Sequence, residues 1–132
     1  MRFRTCMPSK KSARYGALAE RAARDRYGLD SEHDGWHDAT TSDGQPVEIK
    51  SAMINRASGR TGRFRIFREY HQRLEREGGY YVFVAYRRSG RGISIARMRS
   101  VDADALNLNW YRGRHHRDSE EVKLTIEHLF GQ

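Results

Sequence analysis

The chain has 132 residues, which suits one domain with a modest core, because at this size folding buries roughly two-thirds of the surface that the unfolded chain exposes. Its formal net charge of +8, with 25 lysines and arginines against 17 aspartates and glutamates, predicts a polyanionic partner and makes a nucleic acid the first candidate. No apolar run approaches the ~20 residues of a membrane span, and the N-terminus lacks the apolar centre of a signal peptide, so we expect a cytoplasmic protein with no membrane partner.

The first predicted element in chain order is a helix over residues 10–27, the segment KKSARYGALAERAARDRY. Ser9 can cap its N-terminus, and Gly28 is a natural stop at its C-terminus. Four small or apolar residues fall at helical spacing and predict the face that packs on the core: Ala13, Ala17, Leu18 and Ala22.

A β-hairpin is predicted next, beginning with the segment WHDATTSDGQPVEIK, with strands at Trp36–Thr40 and Val47–Met53. It carries three charged residues that a surface hairpin does not need, namely Asp38, Glu48 and Lys50. Glu48 and Lys50 are two residues apart on one strand, so their side chains share a face.

The length of the turn decides whether Asp38 joins that face. A three-residue loop of Ser42, Asp43 and Gly44, with Gly44 in the left-handed conformation, sets Asp38 opposite Glu48. A two-residue loop of Asp43 and Gly44 sends Asp38 to the other face. A shared site on this hairpin therefore requires the longer loop.

The second half of the chain predicts one helix and two strands. After a mobile basic loop over residues 55–63, the segment FRIFREYHQRLERE predicts a helix over residues 64–77. The segment YYVFVAY at residues 80–86 predicts a strand buried on both faces, and Ile93–Met98 alternates as another strand. Residues 122–131 fit a strand, a helical turn, or one followed by the other. This order of elements predicts a single α/β sandwich around a mixed sheet.

Two carboxylates as close as Asp38 and Glu48 would repel each other unless a cation lies between them. Magnesium fits that position because it prefers a few carboxylate oxygens, keeps several waters and shares its remaining positions with phosphate oxygens of a substrate. Lys50 beside it can stabilise the charge that develops on a phosphate under attack. The hairpin therefore suggests hydrolysis of a phosphodiester.

The segment HDATTSDGQPVEIK resembles the core of the PD-(D/E)XK nuclease superfamily, and RYGALAERAARDRYGL resembles the first helix of the archaeal Holliday junction resolvases and their viral relatives. The resemblance extends as far as the strand YYVFVAY. It implies a restriction-endonuclease-like α/β sandwich, with a mixed central sheet flanked by helices, that acts as a metal-dependent endodeoxyribonuclease. It also implies branched DNA as the partner, a homodimer as the assembly, Mg²⁺ as the metal with Mn²⁺ as a substitute, and no small-molecule cofactor.

The same resemblance implies roles for five residues. Glu20 corresponds to the metal-linked helix glutamate, Asp38 to the motif aspartate, Glu48 to the motif acid and Lys50 to the motif lysine, and the backbone carbonyl of Ile49 is an added metal ligand. Asp34 is the alternative motif aspartate, although its Asp-Gly sequence favours a turn. For Glu20 the alternative is an ordinary helix residue paired with Arg24 four positions later.

Seven basic residues adjoin the predicted site in sequence and are candidate contacts for phosphates of DNA: Lys10, Lys11, Arg14, Arg56, Arg60, Arg63 and Arg65. Such contacts position a nucleic acid without reading its sequence, and they make binding depend on salt. Two other functions stay open at this point. One is a nuclease of the same superfamily that acts on flap, nicked or duplex DNA, and the other is a non-catalytic nucleic-acid-binding module with structural carboxylates.

Overall fold

A computed structural model describes residues 10–32, 35–56, 59–112 and 120–131, without the side chains of residues 10–12 and 111–112. The helices are α1 (Lys10–Tyr27), α2 (Arg68–Arg76) and α3 (Ile126–Phe130), with a 3₁₀ turn at Ala103–Ala105. The strands are β1 (Asp30–Ser31), β2 (Ala39–Thr40), β3 (Pro46–Met53), β4 (Arg63–Phe67), β5 (Tyr80–Ser89), β6 (Gly92–Asp102), β7 (Tyr111–Arg112) and β8 (Glu120–Thr125). Ser9, the predicted cap, and Asp34, the alternative motif aspartate, lie outside the described residues.

The strands form two sheets. The larger has the order β1-β2-β3-β5-β6, in which β3 and β5 pair in parallel and the other neighbours are antiparallel. The smaller has the order β4-β8-β7 and is antiparallel throughout. The expected α/β sandwich with a mixed central sheet is therefore confirmed, whereas the second sheet was not predicted from the sequence.

Strand β5 separates two hydrophobic cores, as its continuous apolar segment predicts. Val82 and Val84 face α1 on one side of the sheet, while Tyr81 and Phe83 face the smaller sheet and α2 on the other. All four side chains are at most 2% exposed. A strand covered on both faces needs apolar residues at every position, which explains why this segment does not alternate.

Helix α1 forms as predicted and ends at Gly28, whose φ of 64° is the left-handed conformation of a helix stop. The predicted buried face is wrong. Tyr15, Ala19 and Ala23 are buried against the sheet, whereas Ala13 and Ala17 are exposed and Leu18 and Ala22 are only partly buried. Alanines occur all round this helix, so their spacing does not select a face.

The helix predicted over residues 64–77 is wrong in its first turn, because Arg63–Phe67 forms strand β4 and the helix begins only at Arg68. Phe64 and Ile66 point into the core and alternate with the exposed Arg63 and Arg65, which is the period of a strand. Phe64 pairs with a leucine of β8 some sixty residues later in the chain. That long-range pairing overrides the local preference for a helix.

The tail takes the third of the predicted alternatives, a strand (β8) followed at once by a short helix (α3). Thr125 joins the two, since its side-chain oxygen accepts a hydrogen bond from the backbone N–H of His128 at 3.1 Å. None of the described helices combines the length and the apolar character needed to cross a membrane.

Candidate active site

The turn of the hairpin has the longer form that a shared site requires. Thr41 and Gln45 close a loop of three residues, with a backbone hydrogen bond of 3.0 Å from the Thr41 N–H to the Gln45 carbonyl. Gly44 has a φ of 85°, as predicted for the left-handed position. The strand register includes the pairing of Ala39 with Val47, and continuing it by one residue sets Asp38 opposite Glu48. The Asp38 N–H donates to the Val47 carbonyl at 3.1 Å.

Asp38 lies just before strand β2 rather than within a longer strand. The predicted strand over residues 36–40 is therefore mostly wrong, because only its last two residues pair with β3. The Asp38 side chain takes the place of the missing backbone acceptor, and its Oδ2 accepts a hydrogen bond from the Ile49 N–H at 2.9 Å. A strand residue directs its N–H and its carbonyl to the same side, so the Ile49 carbonyl faces the edge where Asp38 lies.

Glu48 and Lys50 share the face of β3 that is opposite to α1. Glu48 is buried, at 8% exposure, and Lys50 is partly buried. They lie in a small pocket of about 10 Å³ whose described lining is Trp36, Glu48, Lys50, Ile66, Phe67, Tyr70, Leu74 and Tyr81. This volume holds about one water molecule, so a nucleic acid could meet these side chains only at the rim of the pocket.

Trp36 forms one wall of this pocket, and an arginine of α2 packs against its indole ring. The guanidinium of Arg73, on α2, lies 4.4 Å from the centre of the indole ring, within the range of a cation–π contact. Arg73 also pairs with Glu77, at 3.1 Å between Nε and Oε2. The wall is therefore tied to the helix that packs over the site.

The oxygen atoms of Asp38, Glu48 and the Ile49 carbonyl make a donor set that fits a hard divalent cation such as Mg²⁺. Among the residues that the structure describes, no three His, Cys, Asp or Glu side chains are grouped so that they could hold a metal ion. From this hairpin a metal would have the two carboxylates and the backbone carbonyl as ligands, with waters or substrate completing its coordination.

Glu20 lies on helix α1 and is partly buried. Helix α1 packs against the sheet face formed by Val47 and Ile49, the face opposite the one that carries Glu48 and Lys50. The Glu20 Oε2 lies 3.8 Å from an Arg24 guanidinium nitrogen, the i,i+4 pair that the sequence left open as the alternative. The sequence does not reveal which face of the sheet α1 covers, and a metal-linked role for Glu20 stays a prediction.

A basic groove of about 740 Å³ lies on the outer face of the smaller sheet, and its described lining is Arg56, Arg60, Thr61, Arg63, Arg65 and Lys123. The structure thus brings together four of the predicted phosphate contacts. Lys123 was missed, because it joins them only through its pairing with Arg65 across β4 and β8. Arg14 is exposed on α1, away from this sheet, and the side chains of Lys10 and Lys11 lie outside the described residues.

Arg65, in this groove, has a buried partner. Its Nε lies 3.0 Å from Oε2 of Glu121, whose side chain is only 4% exposed, while half of the Arg65 side chain remains exposed. Part of its charge therefore compensates a buried carboxylate, which leaves less for a phosphate.

His71 and Tyr81 form a buried pair that the sequence did not reveal. The Tyr81 hydroxyl is 2.8 Å from His71 Nδ1, and the rings stack with centres 5.7 Å apart. Burial raises the pKa of Tyr81, and the negative charge of Glu48 raises it further. Burial also lowers the pKa of His71, against an opposing effect of Glu75. The two residues come from a helix and a strand, and no local pattern marks their contact.

Comparison with known families covers almost the whole chain. A family model described as a PD-(D/E)XK nuclease superfamily domain matches residues 7–131. The match includes the hairpin with Asp38, Glu48 and Lys50, and it extends through β8 and α3, beyond the region in which the sequence showed a resemblance. No curated protein gave a significant match.

Proposed function

The chain belongs to the PD-(D/E)XK nuclease superfamily, and from that membership we propose that it is a magnesium-dependent DNA endonuclease. Membership implies nuclease activity, a nucleic-acid substrate and a divalent metal. The finer parts of the proposal are Mg²⁺ as the metal, with Mn²⁺ able to replace it, and branched DNA as the substrate.

One observation carries the proposal, the hydrogen bond of 2.9 Å from the Ile49 N–H to the Asp38 carboxylate. It holds Asp38 against the strand that carries Glu48, which supports a site in which the oxygen donors of the two residues share one metal ion. A divalent metal bound there would activate water and neutralise charge on the phosphate. Asp38, Glu48 and the Ile49 carbonyl would hold it, and a nearby cation would stabilise the charged form of the buried Glu48.

Lys50 has a separate part in the proposal. It lies on the same face as Glu48, two residues later, and lines the same pocket. A fixed ammonium group at this position would stabilise negative charge on a phosphate oxygen as the attacking oxygen approaches. Its contribution is electrostatic, so its loss should affect cleavage much more than DNA binding.

We propose branched DNA, and a mode of action like that of the Holliday junction resolvases, because α1 resembles their first helix. A homodimer would then place two sites on symmetry-related strands. The basic groove supports a DNA substrate, since cations without other recognition groups contact the backbone whatever its sequence. Flap, nicked and plain duplex DNA are the alternative substrates.

Lys50→Ala is the direct test. We expect the natural chain to cut DNA in Mg²⁺ and the variant to lose at least about a hundredfold in rate, the usual scale for a group that stabilises developing charge. DNA binding measured in a chelator should be unchanged. Arg76→Ala, a charge loss on exposed α2, is the matched control and should cut normally.

Two results would contradict the proposal. If Lys50→Ala cuts DNA at the natural rate, Lys50 is not part of the active site and the site assignment is wrong. If the natural chain cuts no DNA with Mg²⁺ or Mn²⁺, the non-catalytic binding module is favoured. A panel of four-way junction, flap, nicked and linear DNA, with excess linear competitor, tests the substrate. A junction that is neither preferred in binding nor cut in pairs would refute the resolvase-like part.

A further inference from the structure

A buried hydrogen bond links the wall of the candidate active site to helix α2. Tyr81 is the partner of Glu48 across the parallel β3–β5 ladder, and both side chains line the small pocket. The Tyr81 hydroxyl lies 2.8 Å from His71 Nδ1, and the two residues are 2% and 4% exposed. Their ring planes are only 8° apart, and Trp110 covers His71 at 5.5 Å between ring centres, so the pair is held in one arrangement.

The chemistry of the pair favours one arrangement of its protons. A tyrosine keeps its proton at neutral pH, so the Tyr81 hydroxyl has one hydrogen bond to donate. Burial lowers the pKa of His71 and so favours its neutral form, and a neutral ring with its proton on Nε2 accepts the hydrogen bond of the Tyr81 hydroxyl at Nδ1. Nε2 faces Glu75, whose Oε1 is 3.8 Å away. With this tautomer the Tyr81 hydroxyl donates its hydrogen bond toward α2.

We propose that His71 is a positioning residue for the metal site, because it takes the hydrogen bond of the Tyr81 hydroxyl and so keeps that donor away from the Glu48 carboxylate. The inference rests on the proposed function, in which Glu48 is a metal ligand. A buried hydroxyl that loses its acceptor turns to another one, since an unsatisfied buried donor is costly. Glu48 is the carboxylate that faces the same pocket, and a hydroxyl proton competes with a metal ion for its lone pairs.

His71→Phe tests this competition, because it keeps an aromatic ring in the stack and removes the acceptor. The measurement is isothermal titration calorimetry of Mg²⁺ into the full chain without DNA, which does not depend on cleavage. We expect an affinity about tenfold weaker, the scale on which residues behind a metal ligand act. Circular dichroism and thermal unfolding in a chelator check that each variant folds.

The double variant His71→Phe/Tyr81→Phe separates this role from a merely structural one. It lacks the competing hydroxyl, so its Mg²⁺ affinity should return to that of Tyr81→Phe alone. A general loosening of the pocket by loss of His71 would instead persist in the double variant, and that result would overturn the inference.

Three further outcomes also decide whether the inference holds. In the natural chain His71 already holds the hydroxyl, so Tyr81→Phe alone should leave the Mg²⁺ affinity unchanged, and clearly tighter binding would overturn the inference. Tyr81→Phe removes a single oxygen atom, so its Mg²⁺ affinity still tests the inference if His71→Phe does not fold. Unchanged binding by a folded His71→Phe chain overturns the inference and leaves the proposed function standing, whereas absence of Mg²⁺ and Mn²⁺ binding in the natural chain removes both.

Discussion

The basic groove predicts how steeply DNA binding depends on salt. Five of its described lining residues are cations, but Arg65 is not counted toward the salt dependence, because its guanidinium compensates the buried carboxylate of Glu121. The four others are Arg56, Arg60, Arg63 and Lys123. If each contacts one phosphate of duplex DNA, the logarithm of the binding constant falls with the logarithm of the salt concentration with a slope of about −3.6, since each contact contributes about −0.9.

The slope converts into a measurable loss of affinity. Between 50 and 200 mM salt the natural chain should lose about 150-fold, and Lys123→Ala, with a slope of about −2.7, should lose only about 40-fold. Lys123 is the residue of choice because it stands on the outer face of β8 opposite Arg65, at the centre of the groove, and has no place in the pocket of Glu48.

Fluorescence anisotropy with a labelled duplex in a chelator measures the slope without cleavage. Arg76→Ala is the matched control, since it removes one positive charge from α2 in a separate pocket lined by residues that include Glu75 and Asp104. A slope that changes equally in both variants would show that net charge, and not the groove, governs binding. A slope that Lys123→Ala leaves unchanged would refute the groove as the path of the DNA backbone.

Three further predictions concern stability, measured by urea unfolding. Gly79→Ala should destabilise the folded chain by about 1–3 kcal/mol, because the added Cβ would lie 2.5 Å from a backbone carbonyl oxygen at the start of β3. Gly16→Ala is the control: its Cβ would enter open space on α1, so the change should stabilise the folded chain by about 1 kcal/mol. Arg65→Ala should cost about 1–3 kcal/mol by removing a partner from a buried carboxylate, and the exposed Arg63→Ala should stay within about 0.5 kcal/mol. The lowered pKa of His71 implies that, as pH falls below about 6.5, this residue takes up a proton more readily in the unfolded chain than in the folded one, so stability should fall as pH drops from 7.5 to 5.5. His71→Phe should lose less stability between pH 7.5 and 5.5 than the natural chain. An equal loss would contradict the assignment of this pH dependence to His71.

Local geometry explains why the hairpin could be predicted. The conformation of Gly44 and the three-residue loop fix the register, and the register alone sets Asp38 opposite Glu48. These residues are within ten positions of one another, so their arrangement depends on turn chemistry that the sequence shows directly. The apolar strand β5 was predictable for a similar reason, because burial on both faces requires a continuous apolar run.

Contacts between distant segments explain what could not be predicted. Strand β4 depends on its pairing with β8, and without it the residues around Phe64 fit a helix equally well. Lys123 enters the groove through that same pairing. The contact of His71 with Tyr81 requires α2 to pack over β5, and the position of Glu20 requires knowledge of the face that α1 covers.

The parallel pairing of β3 with β5 delays the assembly of the pocket during folding. The oxygen donors Asp38 and Glu48 belong to one hairpin and can approach each other through a short loop, whose closure is fast. Leu74 and Tyr81, which form walls of the pocket, can pack there only after the chain has crossed over through β4 and α2. Such long-range parallel contacts form slowly during folding. A partly folded chain therefore presents its acidic hairpin to solvent before an enclosing wall exists, and any catalytic power of that hairpin is coupled to completion of the fold.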